Sequence, residues 1–131
     1  MLAIDTNILV RFLTDDDAEQ SPQARALIER NDILISSTVM LETDWVLRSA
    51  YGLNKLDVIS RLTAVAGLPR VILQEPDRIA KALNWAAAGM DFADALHVSA
   101  AEGCEAFVTF DRRLAGAQPL GGPPIRMLAA D

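Results

Sequence analysis

The chain has 131 residues, of which 51% are hydrophobic and 23% are charged; this composition excludes intrinsic disorder, and the length predicts one domain, residues 1–131, with a complete core. The net charge of −6 argues against a protein that holds nucleic acid through a basic surface alone, but not against an enzyme whose acids surround a metal ion. Cys104 is the only cysteine, no apolar run is long enough to span a membrane, and the first residues lack the basic segment of a signal peptide, so we expect a cytoplasmic protein.

The pattern of apolar residues, caps and glycines predicts alternating strands and helices. In chain order it predicts a strand at 2–4, a helix starting at 5–7, a helix at 21–30, a strand at 33–35, helices at 36–50 and 54–66, a strand at 71–73, helices at 75–88 and 91–102, and strands at 106–110 and, more weakly, 125–128. Short apolar strands separated by helices are typical of an α/β fold with a parallel sheet and helices on both faces.

Two acids directly follow predicted strands. Asp5 ends the first apolar run and Asp111 ends the run at 106–110. In open parallel sheets, ligands bind beyond the carboxyl ends of the strands, so both side chains are candidates for a functional site. Each could equally cap the helix that follows its strand.

Glu42 is predicted to interrupt an apolar helix face. At 100° per residue, Trp45 and Val46 flank it, whereas Asp44 and Arg48 lie on the far side and are interpreted as a surface ion pair. A carboxylate on a core-facing stripe is costly unless it is paired or binds a metal. A functional role is therefore favoured, with a buried salt bridge as the alternative.

Asp91 and Asp94 stand at the start of the helix predicted at 91–102. Asp91 is interpreted mainly as its N-cap, with a direct ligand role as the alternative. Asp94 falls at the third helical position, on an inward face, where the helix dipole stabilises a carboxylate.

Two pairs of residues are candidates for contacts with a substrate or partner. Arg112 and Arg113 adjoin Asp111 and either contact phosphate groups or belong to a solvated turn. Trp45 and Trp85 are predicted to anchor the core or an interface.

Carboxylates gathered around one crevice repel each other unless a cation neutralises them. Only oxygen ligands are available, which favours Mg²⁺ or Mn²⁺ over zinc, since one cysteine and one histidine cannot build a zinc site. Such a site suits phosphodiester hydrolysis. Glycoside hydrolysis needs only two carboxylates, and would leave two of the four acids Asp5, Glu42, Asp94 and Asp111 unexplained.

The acids occur in a recognisable order. The segments are Asp5-Thr6-Asn7, Leu41-Glu42-Thr43 with Trp45-Val46-Leu47, Asp91-Phe92-Ala93-Asp94-Ala95-Leu96-His97, and Thr109-Phe110-Asp111. Together they resemble PIN-domain ribonucleases, and most closely the VapC-type toxins of bacterial toxin–antitoxin pairs. The resemblance extends from the first residues to about Leu114.

The resemblance implies a PIN-like three-layer α/β fold with a central five-stranded parallel sheet, and a metal-dependent endoribonuclease that acts on structured RNA with Mg²⁺ or Mn²⁺. It implies that the catalytic and metal-binding residues are Asp5, Glu42, Asp94 and Asp111, with supporting roles for Thr6, Asn7, Asp91 and Thr109. Either Asp91 or Asp94 could be the ligand, although Asp94 aligns better. The resemblance also implies a homodimer and a cognate antitoxin.

Two other functions are compatible with an acidic α/β chain. A phosphoacceptor receiver domain needs paired acids after the first strand and a lysine after the last one. Here Asp5 stands alone, and the only lysines, Lys55 and Lys81, fall in predicted helices. A DNA-directed nuclease of the same fold is the second alternative, because no residue pattern distinguishes the two nucleic acids.

Overall fold

A computed structural model describes residues 1–128, which form seven helices and five strands. The strands are β1 (Leu2–Ala3), β2 (Ile33–Ile35), β3 (Val71–Leu73), β4 (Phe107–Thr109) and β5 (Ile125–Met127). The helices are α1 (Thr6–Thr14), α2 (Gln20–Arg30), α3 (Ser37–Ser49), α4 (Lys55–Ala66), α5 (Pro76–Ala87), α6 (Phe92–Ser99) and α7 (Arg112–Ala115). Within this part of the chain, no helix combines the length and apolar character needed to cross a bilayer.

The first of two compact units comprises Met1–Pro76. Its three strands form a parallel sheet in the order β1-β2-β3, with Leu2 opposite Ile33 and Ile33 opposite Val71. The central strand supplies the buried side chains Ile33 and Ile35. Helix α1 packs against α2 and α3, and α3 packs against α4. This arrangement places the carboxyl ends of β1 and β2 side by side.

The second unit begins at Asp77. Strands β4 and β5 pair in parallel, with Phe107 opposite Ile125 and Thr109 opposite Met127, and α7 contacts both strands. Its buried hydrophobic side chains come from all three helices and from β5: Ile79, Ala82, Leu83, Trp85, Ala86, Phe92, Ala95, Val98, Leu114 and Ile125.

The predicted five-stranded central sheet is only partly confirmed. All five strands are present and every pairing is parallel, but the hydrogen bonds of residues 1–128 divide them into sheets of three and two strands. No strand in the described part of the chain exceeds three residues, and β1 has only two, which pair with β2. Strands this short offer few ladder hydrogen bonds, so strand existence could be predicted more reliably than pairing.

The predicted helices are present, with shifts at their ends. The helix predicted at 91–102 ends at Ser99. Helix α7 was missed because four residues carry too little apolar periodicity to recognise. Its signals were local: a cap at Asp111, and Gly116 directly after its last turn.

Candidate active site

Asp5 lies at the carboxyl end of β1, as predicted. The Ile4 N–H donates to the Leu34 carbonyl oxygen at 3.3 Å, so Asp5 leaves the sheet at the edge where β2 also ends. The Asp5 Oδ1 atom caps α1 by accepting the Ile8 N–H at 3.0 Å. The carboxylate is exposed and held in one orientation by the start of the helix it caps.

Thr6 and Asn7 occupy the first two positions of α1. Thr6 is half-buried and Asn7 is exposed. Their side chains make no hydrogen bond to Asp5 within residues 1–128, where Asp5 is held by the backbone of Ile8 instead. The supporting role implied for them by the resemblance stays a prediction.

Glu42 is exposed, which contradicts its predicted place on an inward face. The buried residues of α3 are Met40, Thr43, Asp44 and Leu47. Met40 and Leu47 are separated by two helical turns and are both fully buried, so they define the core face, with Asp44 between them. The prediction from helical periodicity chose the wrong face of α3 because it counted Trp45 as a core residue, whereas Trp45 is 63% exposed.

The Asp44–Arg48 pair was wrongly predicted to be a surface pair. Asp44 is 1% exposed. Arg48 donates to it from Nε at 3.1 Å and from Nη2 at 2.7 Å. This bidentate contact neutralises the buried carboxylate. The helix therefore carries one acid that is satisfied in the core and one, Glu42, that faces water.

Asp91 caps α6, as predicted. Its Oδ2 accepts the Asp94 N–H at 3.1 Å, which places Asp94 at the third helical position, inside the first turn. Both acids are half-buried, so Asp94 is less inward than the wheel predicted.

Asp111 is held by backbone hydrogen bonds at the start of α7. Its Oδ1 accepts the Arg113 N–H at 2.9 Å and the Leu114 N–H at 3.3 Å, which caps α7. Its own N–H donates to Thr109 Oγ1 at 3.0 Å. The half-buried Thr109 thus accepts a hydrogen bond from the backbone of this acid, and the supporting role implied for it stays a prediction.

The four acids divide equally between the two units: Asp5 and Glu42 belong to the first, and Asp94 and Asp111 to the second. Among residues 1–128, no three His, Cys, Asp or Glu side chains are close enough together to hold a metal ion. The donor atoms are nonetheless all carboxylate oxygens, the set that fits Mg²⁺ or Mn²⁺. Their joint action on one metal stays a prediction.

The second unit contains a cavity of about 220 Å³ that is lined by other residues than these acids. Trp85, Lys81 and Glu102 line it, and Lys81 Nζ lies 3.1 Å from Glu102 Oε1. The two charges neutralise each other, and none of the four acids contributes to the wall. This cavity therefore does not correspond to the predicted site.

Comparison with known proteins identifies the family. The family model described as the PIN domain matches residues 2–118, so the chain belongs to the PIN domain family. The match contains all four acids, and it confirms the family predicted from the motifs.

Among solved structures, the chain is similar to the VapC20 toxin of Mycobacterium tuberculosis, which is described as cleaving the sarcin–ricin loop. The identity is 19%, the TM-score is 0.43, and the match covers 95% of this chain and 100% of the other. No curated protein matches the chain.

Proposed function

We propose that this PIN domain is a metal-dependent endoribonuclease that hydrolyses phosphodiester bonds in structured RNA. The observation that carries the proposal is that one family match, over residues 2–118, contains all four acids. Asp5 and Asp111 also stand two residues beyond the carboxyl ends of parallel strands, where α/β proteins bind their ligands. The toxin role, with a cognate antitoxin and a homodimer, follows from the likeness of the motifs to VapC-type toxins.

The metal ligands in this proposal are Asp5, Glu42, Asp94 and Asp111. Mg²⁺ or Mn²⁺ would supply positive charge that polarises the scissile phosphate and activates water at neutral pH. The hydrogen bonds that cap α1 and α7 hold Asp5 and Asp111 in fixed orientations, so that little ordering is required when substrate binds. Glu42 faces water, so its carboxylate can bind a metal ion without first breaking a contact with another side chain.

Cleavage of a total small-RNA pool tests the proposal. The purified chain is incubated with Mg²⁺, with Mn²⁺ or with a chelator, and the Asp5→Asn variant is run in parallel to exclude a contaminating nuclease. We expect discrete, metal-dependent cuts that Asp5→Asn abolishes. Mapping the fragment ends then identifies the target.

Asp32→Asn is the matched control. Asp32 is also an exposed aspartate next to a strand of the first sheet, but it precedes β2 and so lies at the opposite edge from Asp5. Its variant should cleave like the wild type. Cleavage of DNA alone would replace RNA by DNA in the proposal, and absence of metal binding would refute the mechanism.

A further inference from the structure

Among residues 1–128, the arginines without an ion pair are concentrated in the second unit. Most Lys and Arg side chains have a partner, as in Arg25 with Asp15 at 3.0 Å and Arg70 with Asp32 at 3.0 Å. Arg112, Arg113 and Arg126 have no ion pair or side-chain hydrogen bond within residues 1–128, and all three are exposed. In a chain of net charge −6, such a group of free guanidinium groups attracts a polyanion locally.

An exposed aromatic ring lies in the same segment. Phe110 is 73% exposed and stands between Thr109 and Asp111, both of which are fixed by hydrogen bonds. Alternation along β4 places Val108 on the exposed face as well. Val108 pairs in register with Arg126, so a guanidinium group shares that face.

We propose that Phe110 stacks on an unpaired nucleobase while Arg112, Arg113 and Arg126 bind the neighbouring phosphates of a single-stranded RNA segment. An aromatic platform combined with positively charged side chains is what proteins use to bind single-stranded nucleic acids. Bases inside a duplex are already stacked, so the ring selects loops and unpaired ends. This inference rests on the proposed function and defines its substrate class.

The ring is next to the candidate chemistry. Asp111 directly follows Phe110, and Arg112 and Arg113 follow directly in turn. The cap from Asp111 Oδ1 to the Arg113 N–H, at 2.9 Å, keeps this short segment in one conformation. A base held on Phe110 would therefore place its own phosphates within reach of Asp111 and the two arginines.

Binding is measured without cleavage, so that the result does not depend on catalysis. A fluorescein-labelled single-stranded oligoribonucleotide is titrated with the full chain in the presence of a chelator, and fluorescence anisotropy reports the affinity. The same strand in a duplex is the competing ligand. We expect single-strand binding to exceed duplex binding, and Phe110→Ala to weaken it about tenfold, the effect of losing one stacked base.

Three further variants separate stacking from other roles. Val108→Ala, an exposed apolar residue on the same strand, should bind like the wild type. Phe110→Trp, made with Trp45→Phe to remove the exposed indole, should retain affinity, and the new indole emission should be quenched by RNA. Arg112→Gln with Arg113→Gln should reduce the slope of log affinity against log salt by roughly 1.4, whereas Phe110→Ala should leave that slope unchanged.

The outcomes distinguish this inference from the proposed function. Cleavage of RNA with unaltered affinity in Phe110→Ala would overturn the inference and leave the nuclease intact. Phe110-dependent binding without any cleavage would support the inference and refute the nuclease. Equal losses in Phe110→Ala and Val108→Ala, with sedimentation that depends on protein concentration, would show that a second copy of the chain covers this face and would overturn the stacking role.

Discussion

Arg48 neutralises Asp44 one helical turn away, with both guanidinium-to-carboxylate contacts between 2.7 and 3.1 Å and the carboxylate 1% exposed. The pair lies on the core face of α3, whereas Glu42 faces water. One helix thus separates an acid that supports the fold from an acid proposed to act on substrate. The two should respond differently to the same chemical change.

Asp44→Asn should lower the free energy of unfolding by about 2 kcal/mol, because it removes a charge-assisted contact in a buried position. Chemical denaturation measures the loss. Asp57→Asn is the matched control, since Asp57 and Arg61 have the same spacing but are only half-buried, with side chains 42% and 36% exposed and 3.4 Å apart; its cost should be about 0.5 kcal/mol. Equal costs would show that burial does not strengthen the Asp44 contact.

Glu42→Gln should abolish metal-dependent RNA cleavage and leave thermal stability unchanged. The exposed carboxylate makes no hydrogen bond or ion pair within residues 1–128, so the fold loses nothing when its charge is removed. The melting temperature and the cleavage rate are measured on the same preparation. A marked fall in melting temperature would contradict the exposed position.

Asp16 should make the fold sensitive to acid. Its carboxylate accepts hydrogen bonds from Thr14 Oγ1 and Tyr51 Oη, each at 2.7 Å, and from Arg11. The Thr14 bond first, and then the Tyr51 bond, lower the pKa of Asp16 from 3.8 to about 2. Because the folded pKa lies below the unfolded value, the stabilisation is fully present above pH 3.8 and is lost as the pH falls towards 2.

Melting temperatures across this pH range check the effect. Asp16→Asn should melt below the wild type at neutral pH, and the difference should shrink as the pH falls through the window. Tyr51→Phe should show a smaller loss, since the bonds from Thr14 and Arg11 remain. Glu29→Gln, at an exposed acid of the same unit, should show neither change. A difference that stays constant with pH would disprove the lowered pKa of Asp16.

Gly122→Ala should destabilise the second unit by about 1 kcal/mol, as overpacking does elsewhere. An added Cβ would lie 3.1 Å from the Cη2 and Cζ2 atoms of Trp85. This ring is 8% exposed, and its Nε1–H donates to the Leu120 carbonyl oxygen at 3.1 Å, so it has little freedom to move. At Gly116 the nearest atom would be 3.5 Å away, so Gly116→Ala should be tolerated. If Gly122→Ala and the wild type have equal denaturation midpoints, the Trp85 ring must move to make room for the added methyl group.

The whole chain should unfold in one cooperative transition, because 131 residues is the size of one domain. Far-UV circular dichroism follows all helices, whereas the emission of a Trp45→Phe variant follows Trp85 and so the second unit alone. The two midpoints should coincide. Separate midpoints would replace the predicted single domain by two independently folding ones.

The sequence by itself determined the strands, most helices and the family. These features depend on local rules: a cap bonds an N–H three residues away, as Asp5 does with Ile8, and an apolar run predicts a strand wherever it later packs. The four acids could be named for the same reason, since their motifs are contiguous in the chain. Exposure of Phe110 had no such signal, because an apolar residue after a strand is ordinarily buried.

Only the tertiary structure decided which face of α3 is buried, how the strands pair, and which arginines stay without partners. Each of these depends on neighbours distant in the chain. Helix α3 has two apolar faces, one with Trp45 and one with Met40 and Leu47. The face with Met40 and Leu47 is the buried one, and α3 packs against α1 and α4. Burial energy is set by the surface that two elements jointly remove from water, which no single helix specifies.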